Sequence, residues 1–538
     1  MEAALARYFG TATKDTLEAG TRILYHARTE HGVVGTVNEC GKNVRQGERR
    51  MTAEPFGRRS FLRVGAMGLA GTMGTGLRAQ TSAGVTLPAY LADVDGDGLL
   101  GTADSDLMRG ALFTSRGFAV EPNTGFDYRA DVFGRAGIDQ DAVDAVSRTI
   151  ELQGDGTLVS DPRPITVAWH YGWYDRVRRP LLQQTVRYLG GDYLSNDPRV
   201  EEDFNRLKDE FGITVDAISW IPPRVTPTIL PNYQAGYFAA SNAATRHVAL
   251  LYEAALALPA NGGRVDFRQQ EVTNLLLADF DAMAHTLVEA RDRYPTRVFE
   301  LAGRPVVFLF GSHSWGLHPG DTEAFDRMAV VVGEARAAFN AVYGAFPYLV
   351  GDELLPLAST ASPPPDRVSR AVNFDAIYTY HAANLKTSAT TFAINEAYSA
   401  LQRNRLVRAT TAVRSLRNRF TGDRLLIIPS LAGGFAKHGL PILSTTRQAY
   451  ANYLKLLTRF YTETYLPQEW PGAVGTPTLP APIYTVGSWN EEFEGHAVLP
   501  AEFNLALRDS QQSGFDFAMA LKQVFGWNHY AKRAIVRS

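Results

Sequence analysis

Short runs of apolar and β-branched residues recur along the chain from residue 164 onward, and longer amphipathic stretches separate them. The runs predict β-strands, and the stretches predict helices long enough to serve as crossover connections. The predicted strands are Ile165–Trp173, Ile213–Trp220, His247–Glu253, Pro305–Gly311, Pro347–Asp352, Phe374–His381, Leu425–Ser430 and Ile483–Glu491. The predicted helices between them include Val200–Phe211, Val272–Tyr294, Glu323–Phe339 and Thr446–Tyr465. Eight strand–helix units in succession favour an α/β fold, a parallel (β/α)8 TIM barrel spanning residues 160–532.

An open, doubly wound sheet is the alternative, because it uses the same strand–helix units. That fold typically places a glycine-rich phosphate loop after its first strand, and the residues that follow Ile165–Trp173 contain no such loop. The closed barrel is therefore the favoured prediction.

The predicted strand ends carry acids, histidines, tyrosines and tryptophans. In barrel enzymes the working side chains lie at these carboxyl ends. Aromatic faces stack on the C–H groups of sugars, and carboxylates and amides bond their hydroxyls, so this set predicts a sugar-binding cleft. The predicted contact residues are Trp169, His170, Tyr171, Trp173, Tyr174, Trp220, Tyr252, Glu253, His313, Asp352, Tyr378, Tyr380, His381, Trp489 and Asn490.

A catalytic zinc site would use the same residue types. The histidines and acids are, however, scattered singly, without an HExxH motif or paired ligand spacing. Metal-free chemistry is therefore favoured.

Glu491 and Glu494 follow the last predicted strand, three residues apart. At a strand-to-loop turn this spacing can direct both carboxyl groups into one cleft. Glycoside cleavage needs such a pair, with one group protonated and the other ionised. Clustered glutamates also occur in ordinary solvated turns, so the two residues alone leave both interpretations open.

Six motifs in order resemble the superfamily that joins glycoside hydrolase families 99 and 71, over about residues 164–500. The motifs are AWHYGWYD, GGDYLSNDP, GITVDAISW, FDAIYTYHA, IIPSLAGGF and SWNEEFEG. The last is similar to SFNEWHEG of family 99 and to WNDYGES of family 71. This resemblance implies a glycosidase acting on an α-linked polysaccharide or glycan, with Glu491 and Glu494 as its catalytic residues.

The two families imply different mechanisms. In the family 99 mechanism, Glu491 would deprotonate the sugar's own 2-hydroxyl to form an epoxide, and Glu494 would act as acid and then as base. In the family 71 mechanism, one of the acids would activate a water and invert the anomeric centre. The chain departs from family 99 at Glu492-Phe493, in place of Trp-His, and at residues 496–499, in place of Thr-Gln-Ile-Glu. Because of these departures, the resemblance does not identify the sugar.

A second pattern lies upstream, in the stretch DVDGDGLLGTAD at residues 93–104. Asp93, Asp95 and Asp97 occupy positions 1, 3 and 5 of an EF-hand loop, the Leu99 carbonyl occupies position 7, and Asp104 occupies position 12. The pattern predicts a structural Ca²⁺ in a small helical EF-hand-like module at residues 86–152. Its resemblance to dockerins implies a cohesin-like protein partner. The alternative is a solvated acidic turn.

A half-match to the same loop, Asp131 to Ala142, lacks carboxylates at positions 3, 5 and 12, so we expect it to pack without calcium.

The run GRRSFLR at residues 57–63 precedes a small, apolar stretch up to Leu77 and resembles a twin-arginine signal peptide over residues 51–80. We expect Met51 to be the start, residues 1–50 to be an extension, and cleavage near Ala79, with a membrane anchor as the alternative. The only cysteine, Cys40, lies upstream, so we expect no disulfide in the exported chain. The expected location is periplasmic, cell-surface or extracellular, with no membrane span in the mature chain.

The net charge of −2 over 538 residues gives no overall field that would favour nucleic acid or an anionic membrane. A polysaccharide or glycan substrate fits this balance. Two further hypotheses stay open at this stage. One is a non-catalytic carbohydrate-binding barrel, and the other is a calcium-tethered surface protein whose barrel is only a scaffold.

Overall fold

The computed structural model describes the chain from residue 85 to residue 528 with internal gaps, and all of the described residues belong to one compact unit. The described ranges are 85–117, 119–159, 163–175, 186–261, 263–294, 296–316, 321–358, 365–380, 392–437, 440–492, 497–504 and 515–528. The predicted signal peptide, Cys40, His381 and Glu494 lie outside these ranges.

Eight parallel strands form the barrel wall: β1 (Ile165–His170), β2 (Val215–Trp220), β3 (His247–Tyr252), β4 (Arg304–Leu309), β5 (Tyr348–Asp352), β6 (Ala376–Tyr378), β7 (Leu426–Ile427) and β8 (Ile483–Ser488). From β1 to β7 each strand pairs with the next in chain order, and β8 pairs with β1. A parallel bridge between Ser430 and Thr485 joins the segment after β7 to β8. The amide of Leu431 donates to the Thr485 carbonyl at 2.7 Å beside it. The prediction of a (β/α)8 barrel is confirmed.

Nearer the start of β7, side chains replace strand pairing in the wall between β7 and β8. There, Ile427 bonds to side chains: its N–H donates to the Tyr465 hydroxyl at 3.0 Å, and its carbonyl accepts from the Tyr461 hydroxyl at 2.7 Å. The two tyrosines stack with ring centroids 5.0 Å apart and belong to a π-helical turn, Tyr461–Tyr465. Turns of this kind are rare, and this one brings both hydroxyls to the same strand.

Long helices follow most of the strands: α3 (Pro198–Glu210), α4 (Gln270–Asp292), α5 (Thr322–Tyr343), α6 (Glu396–Val413), α7 (Arg447–Phe460) and α8 (Asp516–Phe525), after α1 (Thr102–Gly110) and α2 (Gln140–Gln153) upstream. Several begin at side chains that cap the first amides, such as Asp197 before α3, Asp321 before α5 and Thr446 before α7. The four helices predicted from the amphipathic pattern are present. Among the described residues, no helix is both long and apolar enough to cross a membrane.

Shorter elements complete the fold. Short helices lie at Ala89–Ala92, Tyr128–Ala130, Ile229–Ala235, Ala243–Thr245, Ala254–Ala257, Ser312–Ser314, Leu354–Ala358, Pro365–Ala371 and Leu466–Glu469. Short strands lie at Leu99–Leu100, Thr157–Leu158, Val186–Tyr188, Arg297–Val298, Glu300–Leu301, Phe392–Ala393, Phe435–Lys437, Leu440–Ser444 and Ala501–Asn504.

Successive residues of each barrel strand face opposite sides of the wall. In β2, Val215 and Ala217 belong to the hydrophobic cluster inside the barrel, whereas Ile218 and Trp220 belong to the cluster that includes the buried face of α4. Both sides are apolar and buried, as expected for a parallel sheet covered by helices. This alternation decides which side chains at a strand end can reach the barrel's mouth.

Residues 85–159, here called the N-terminal module, have their own hydrophobic cluster around Leu100, Met108 and Val146. Buried ionic contacts join the module to the barrel. Arg116 contacts Glu210 of α3 at 2.6 Å, and Asp131 lies 3.6 Å from Lys522 of α8. All four side chains are buried, so the module is attached directly to the barrel's helical layer.

Candidate active site

The end of β8 is bent before it reaches the predicted acids. Gly487 has a positive φ of 89°, and the pairing register with β1 shifts between Thr485 and Ser488. Such a bulge redirects the residues that follow it. The chain then turns through Asn490, Glu491 and Glu492, all buried, and the Glu491 amide donates to the Ser488 hydroxyl at 2.9 Å.

The loop after β1 holds this turn in place. The Asn490 side chain accepts from the Tyr171 amide at 2.8 Å and donates to the Tyr171 carbonyl at 2.9 Å. The Tyr174 hydroxyl donates to the Asn490 carbonyl at 2.7 Å and accepts from the Glu492 amide at 2.9 Å. The peptide groups on both sides of Glu491 are therefore fixed by the Tyr174 hydroxyl, and the Asn490 side chain ties the turn to the Tyr171 backbone. We call these four bonds the β1–β8 clamp.

Two tyrosines and two tryptophans line the inner face beside this turn. The hydroxyls of Tyr171 and Tyr380 are hydrogen-bonded to each other. The Tyr380 ring stacks on Trp169 with centroids 6.0 Å apart, and Trp173 stacks on Tyr171 at 4.3 Å. Trp169 is fully buried, and its indole N–H has no hydrogen-bond acceptor among the described residues. The site therefore combines aromatic faces with hydroxyl and N–H donors.

Two carboxylates approach these phenols. Glu253 follows β3 and accepts from the Ser219 hydroxyl at 2.8 Å, and Glu491 follows β8. Burial raises the pKa of Tyr171 well above its usual value, and Tyr380, Glu253 and Glu491 raise it further. Burial also raises the pKa of Tyr174 well above its usual value, and the negative charges of Glu491 and Glu492 raise it further. Both phenols consequently stay protonated at neutral pH and can donate.

A second polar group lies after β4 and β5. One Asp352 oxygen accepts from the Tyr380 amide at 3.1 Å, and the other lies 3.2 Å from Nδ1 of His313. Burial alone would lower the pKa of His313, but the hydrogen bond and charge of Asp352, with Glu353, raise it. Burial raises the pKa of Glu353, whose carboxylate accepts from Ser312 at 3.0 Å and from Arg370 at 2.9 Å. Asp352 thus links His313 to the loop that carries Tyr380.

Four predicted sugar contacts, His170, Trp220, Tyr252 and Trp489, face the helical layer instead. His170 lies 3.2 Å from Glu201 and 3.3 Å from Lys208, both on α3. Trp220 donates to Thr286 at 3.1 Å and Tyr252 to Asp279 at 2.6 Å, both on α4. The Trp489 ring lies 5.6 Å below the Lys208 ammonium. The alternation of side chains along the strands turns these residues away from the residues that line the mouth.

Two other predicted sugar contacts, Tyr378 and Asn490, support the fold instead. Tyr378 lies in the barrel core, edge-on to Trp169 and Phe308 at 5.4 Å from each. Asn490 acts through the clamp on Tyr171's backbone. The structure therefore brings together Trp169, Tyr171, Trp173, Tyr174, Glu253, Tyr380 and Glu491 around one end of the barrel, with His313 and Asp352 beside them. The assignments of His381 and Glu494 remain predictions.

Sequence reasoning missed Tyr193, Ser219 and Ser488 as supports of the site. The Tyr193 hydroxyl accepts from Asn490 at 3.2 Å, and its ring contacts Tyr174 edge-on at 5.3 Å. Tyr193 lies inside the GGDYLSNDP motif, so that motif was the available signal. Ser219 and Ser488 each end a strand, but nothing in their local sequence distinguishes them.

The upstream acidic loop brings three of its predicted ligands together. Single carboxylate oxygens of Asp93, Asp95 and Asp97 all lie within 4.8 Å of one another. Asp93 is fully buried and its Oδ2 pairs with Arg163, while its Oδ1 has no hydrogen-bond partner among the described residues. A buried oxygen of this kind, beside two other carboxylates, fits a hard cation such as Ca²⁺.

The remaining predicted ligands have other contacts. Asp104 accepts from the amides of Val94 at 2.6 Å, Asp95 at 3.1 Å and Gly101 at 2.9 Å, and burial raises its pKa to about 6. Leu99 lies in a short strand that pairs with Leu158. Asp104 therefore braces the loop backbone, and three carboxylates form the cluster.

In the half-matching loop, the Asp131 carboxylate interacts with groups of the protein itself. Asp131 accepts from the amides of Arg135 at 2.8 Å and Ala136 at 3.0 Å, and the Lys522 ammonium supplies a positive charge nearby.

No family model and no curated protein matches this chain. Among solved structures, a glycoside hydrolase-like protein is 15% identical, with a TM-score of 0.45 over 69% of this chain and 95% of that one. The GH99 endo-alpha-mannosidase from Bacteroides thetaiotaomicron is 16% identical, with a TM-score of 0.39 over 67% of this chain and 96% of that one. The chain's structural neighbours thus include glycoside hydrolases, and the barrel assignment itself rests on strand order and closure.

Proposed function

We propose that this protein is a glycoside hydrolase that cleaves an α-linked polysaccharide or glycan, with Glu491 and Glu494 as its catalytic residues. The observation that carries the proposal is the β1–β8 clamp. It holds a buried carboxylate, Glu491, on a bulged strand end beside two protonated phenols and a second acid, Glu253. Catalytic groups must be held rigidly to act, and the clamp supplies that rigidity.

Glu491 is assigned as the base. The assignment follows the resemblance of SWNEEFEG to the family 99 motif, in which the first of the two acids is the base. Glu491 takes a proton from the sugar's 2-hydroxyl or from a water. Glu494, as the acid, gives its proton to the departing glycosidic oxygen as the C–O bond breaks.

The remaining residues of the site bind sugar. Trp173, which is partly exposed, offers an aromatic face backed by Tyr171 at 4.3 Å. Glu253 bonds sugar hydroxyls. His313 adds a further polar group beside Asp352, at the edge of the site.

The experiment is a polysaccharide screen with product NMR, including α-mannan and α-glucan, because the anomeric configuration distinguishes retention from inversion. Glu491→Gln and Glu494→Gln should each abolish turnover without unfolding the protein. Glu463→Gln, which removes an exposed carboxylate on the π-helical turn, is the matched control and should leave turnover unchanged. Full activity in both glutamine variants at the site would contradict the assignment.

The stacked Tyr171–Trp173 pair also suits a carbohydrate-binding protein without catalysis. Binding of a polysaccharide with no new reducing ends would support that second candidate.

We further propose that the acidic loop binds a structural Ca²⁺ through Asp93, Asp95 and Asp97. Its support is the buried, unbonded Oδ1 of Asp93. Export by the twin-arginine route and a cohesin-like partner remain proposals that rest on the sequence.

A further inference from the structure

The outer helix α6 and the turn after it are strongly basic. Between Ala397 and Gly422 the chain has six arginines and no acidic residue, although the whole protein carries a net charge of −2. Five of these arginines are exposed, and four of them form what we call the arginine face: Arg403, Arg408, Arg417 and Arg419. Local charge, unlike the overall balance, therefore favours an anionic partner here.

The arginine face lacks acidic partners. Among the described parts of the chain, none of its four residues makes an ion pair. Nearby, the Glu469 carboxylate is occupied by Arg414 at 2.5 Å and by Arg424 at 2.7 Å. Arg403 lies over the Phe460 ring at 5.6 Å, and Arg417 donates to the Leu416 carbonyl at 3.0 Å. The neighbouring helix α7 adds Lys455 and an Arg459–Glu463 pair, which does not offset the excess.

This arrangement costs folding stability. Like charges three or four residues apart on a helix repel each other. Arg405 and Arg408 have this spacing. Burial lowers the pKa of Arg405, and the charge of Arg408 lowers it further. Since the four residues of the arginine face add positive charge beside Arg405 and have no ion pair among the described residues, a binding role explains them better than a structural one.

We propose that the arginine face binds a linear anionic polysaccharide. Guanidinium groups match carboxylate and sulfate groups in two-point contacts. The face covers the exposed side of α6, on which Arg403 and Arg408 lie five residues apart, and the following turn, so it can contact several charged units of one chain. It leads to the start of β7, away from the barrel mouth, and therefore acts as an anchoring surface separate from the proposed cleavage site.

A membrane surface fits the same region less well. An interfacial helix needs a continuous apolar face. The exposed side of α6 includes Leu401 and Val407, but Asn404 and Thr411 share it, and Ser415 follows in the turn. The polar centre of this side favours a hydrated polymer.

The test measures binding of the full chain to heparin and to polygalacturonate by fluorescence anisotropy at low and physiological salt. Arg403→Gln combined with Arg408→Gln should weaken binding roughly tenfold, and so should the Arg417→Gln and Arg419→Gln pair. The matched control is Arg291→Gln with Arg293→Gln at the end of α4, which changes the net charge equally and should have little effect.

Three results would overturn the proposal. One is equal weakening in the control pair, which would indicate a response to net charge alone. The second is binding to phosphatidylglycerol vesicles without binding to either polymer. The third is no binding to either polymer at low salt. None of these measurements depends on glycan cleavage, so the outcome is independent of the proposed enzymatic activity.

Discussion

The side chain of Asn490 bonds both backbone polar groups of Tyr171, at 2.8 and 2.9 Å. Asn490→Asp keeps the shape but replaces a donor with a buried negative charge facing a carbonyl, at a cost of about 1–3 kcal/mol. We predict a lower melting temperature and at least roughly tenfold lower kcat in glycan cleavage. Asn274→Asp, on the exposed side of α4, should change neither quantity.

The Tyr174 hydroxyl joins the peptide groups on either side of Glu491. Tyr174→Phe removes only this oxygen, so kcat should fall while KM changes little. The Glu492 amide should also exchange its hydrogen faster, because it loses its acceptor. Tyr90→Phe, which removes a hydroxyl bonded to the Val524 carbonyl at 3.1 Å, is the control. An unchanged Glu492 exchange rate in Tyr174→Phe would refute the clamp whether or not a substrate has been found.

Stability should depend on pH through His313. Its pKa is raised above the ordinary 6.5 in the folded state by Asp352, so the pair's stabilisation is fully present below 6.5 and is lost as the pH rises through the folded value. The advantage of wild type over His313→Gln in urea denaturation should therefore be larger at about pH 5.5 than at about pH 8.5. Asp352→Asn should remove the same dependence. If the stability difference between wild type and His313→Gln stayed constant across this pH range, the role of the His313–Asp352 pair would be refuted.

Calcium should stabilise the N-terminal module. Ca²⁺ at 100 times its Kd adds about 2.7 kcal/mol to the folded state, so the melting temperature should rise by a few degrees and fall again with chelator. Asp95→Ala should abolish this response, since it removes one ligand side chain of the cluster. Asp144→Ala, which removes an exposed acid on α2, should retain it. A calcium response that survives in Asp95→Ala would place the ion elsewhere.

The strands could be predicted because buried apolar runs mark them, and all eight are present. The side that each residue faces could not be predicted in the same way. In a parallel wall covered by helices both faces are apolar, so runs such as the HVALLY of β3 do not reveal which residues point inward. That is why the sequence predicts a sugar contact for Tyr252, which instead bonds Asp279 of α4.

The clamp was beyond sequence reasoning for a different reason. Asn490 and Tyr171 lie 319 positions apart and meet only when the last strand closes on the first. For the acidic loop, spacing predicted the cluster of Asp93, Asp95 and Asp97. It could not predict that Asp104 would bond three backbone amides.

The two stacked tyrosines beside β7 have a consequence for the integrity of the cylinder. Along that part of the wall, Ile427 is satisfied by two phenol oxygens from Tyr461 and Tyr465. Removing those two atoms would leave the N–H and carbonyl of Ile427 without partners inside a buried wall, at a cost of about 1–3 kcal/mol for each group. A pair of side chains thus supplies the hydrogen bonds that a neighbouring strand supplies elsewhere in the barrel.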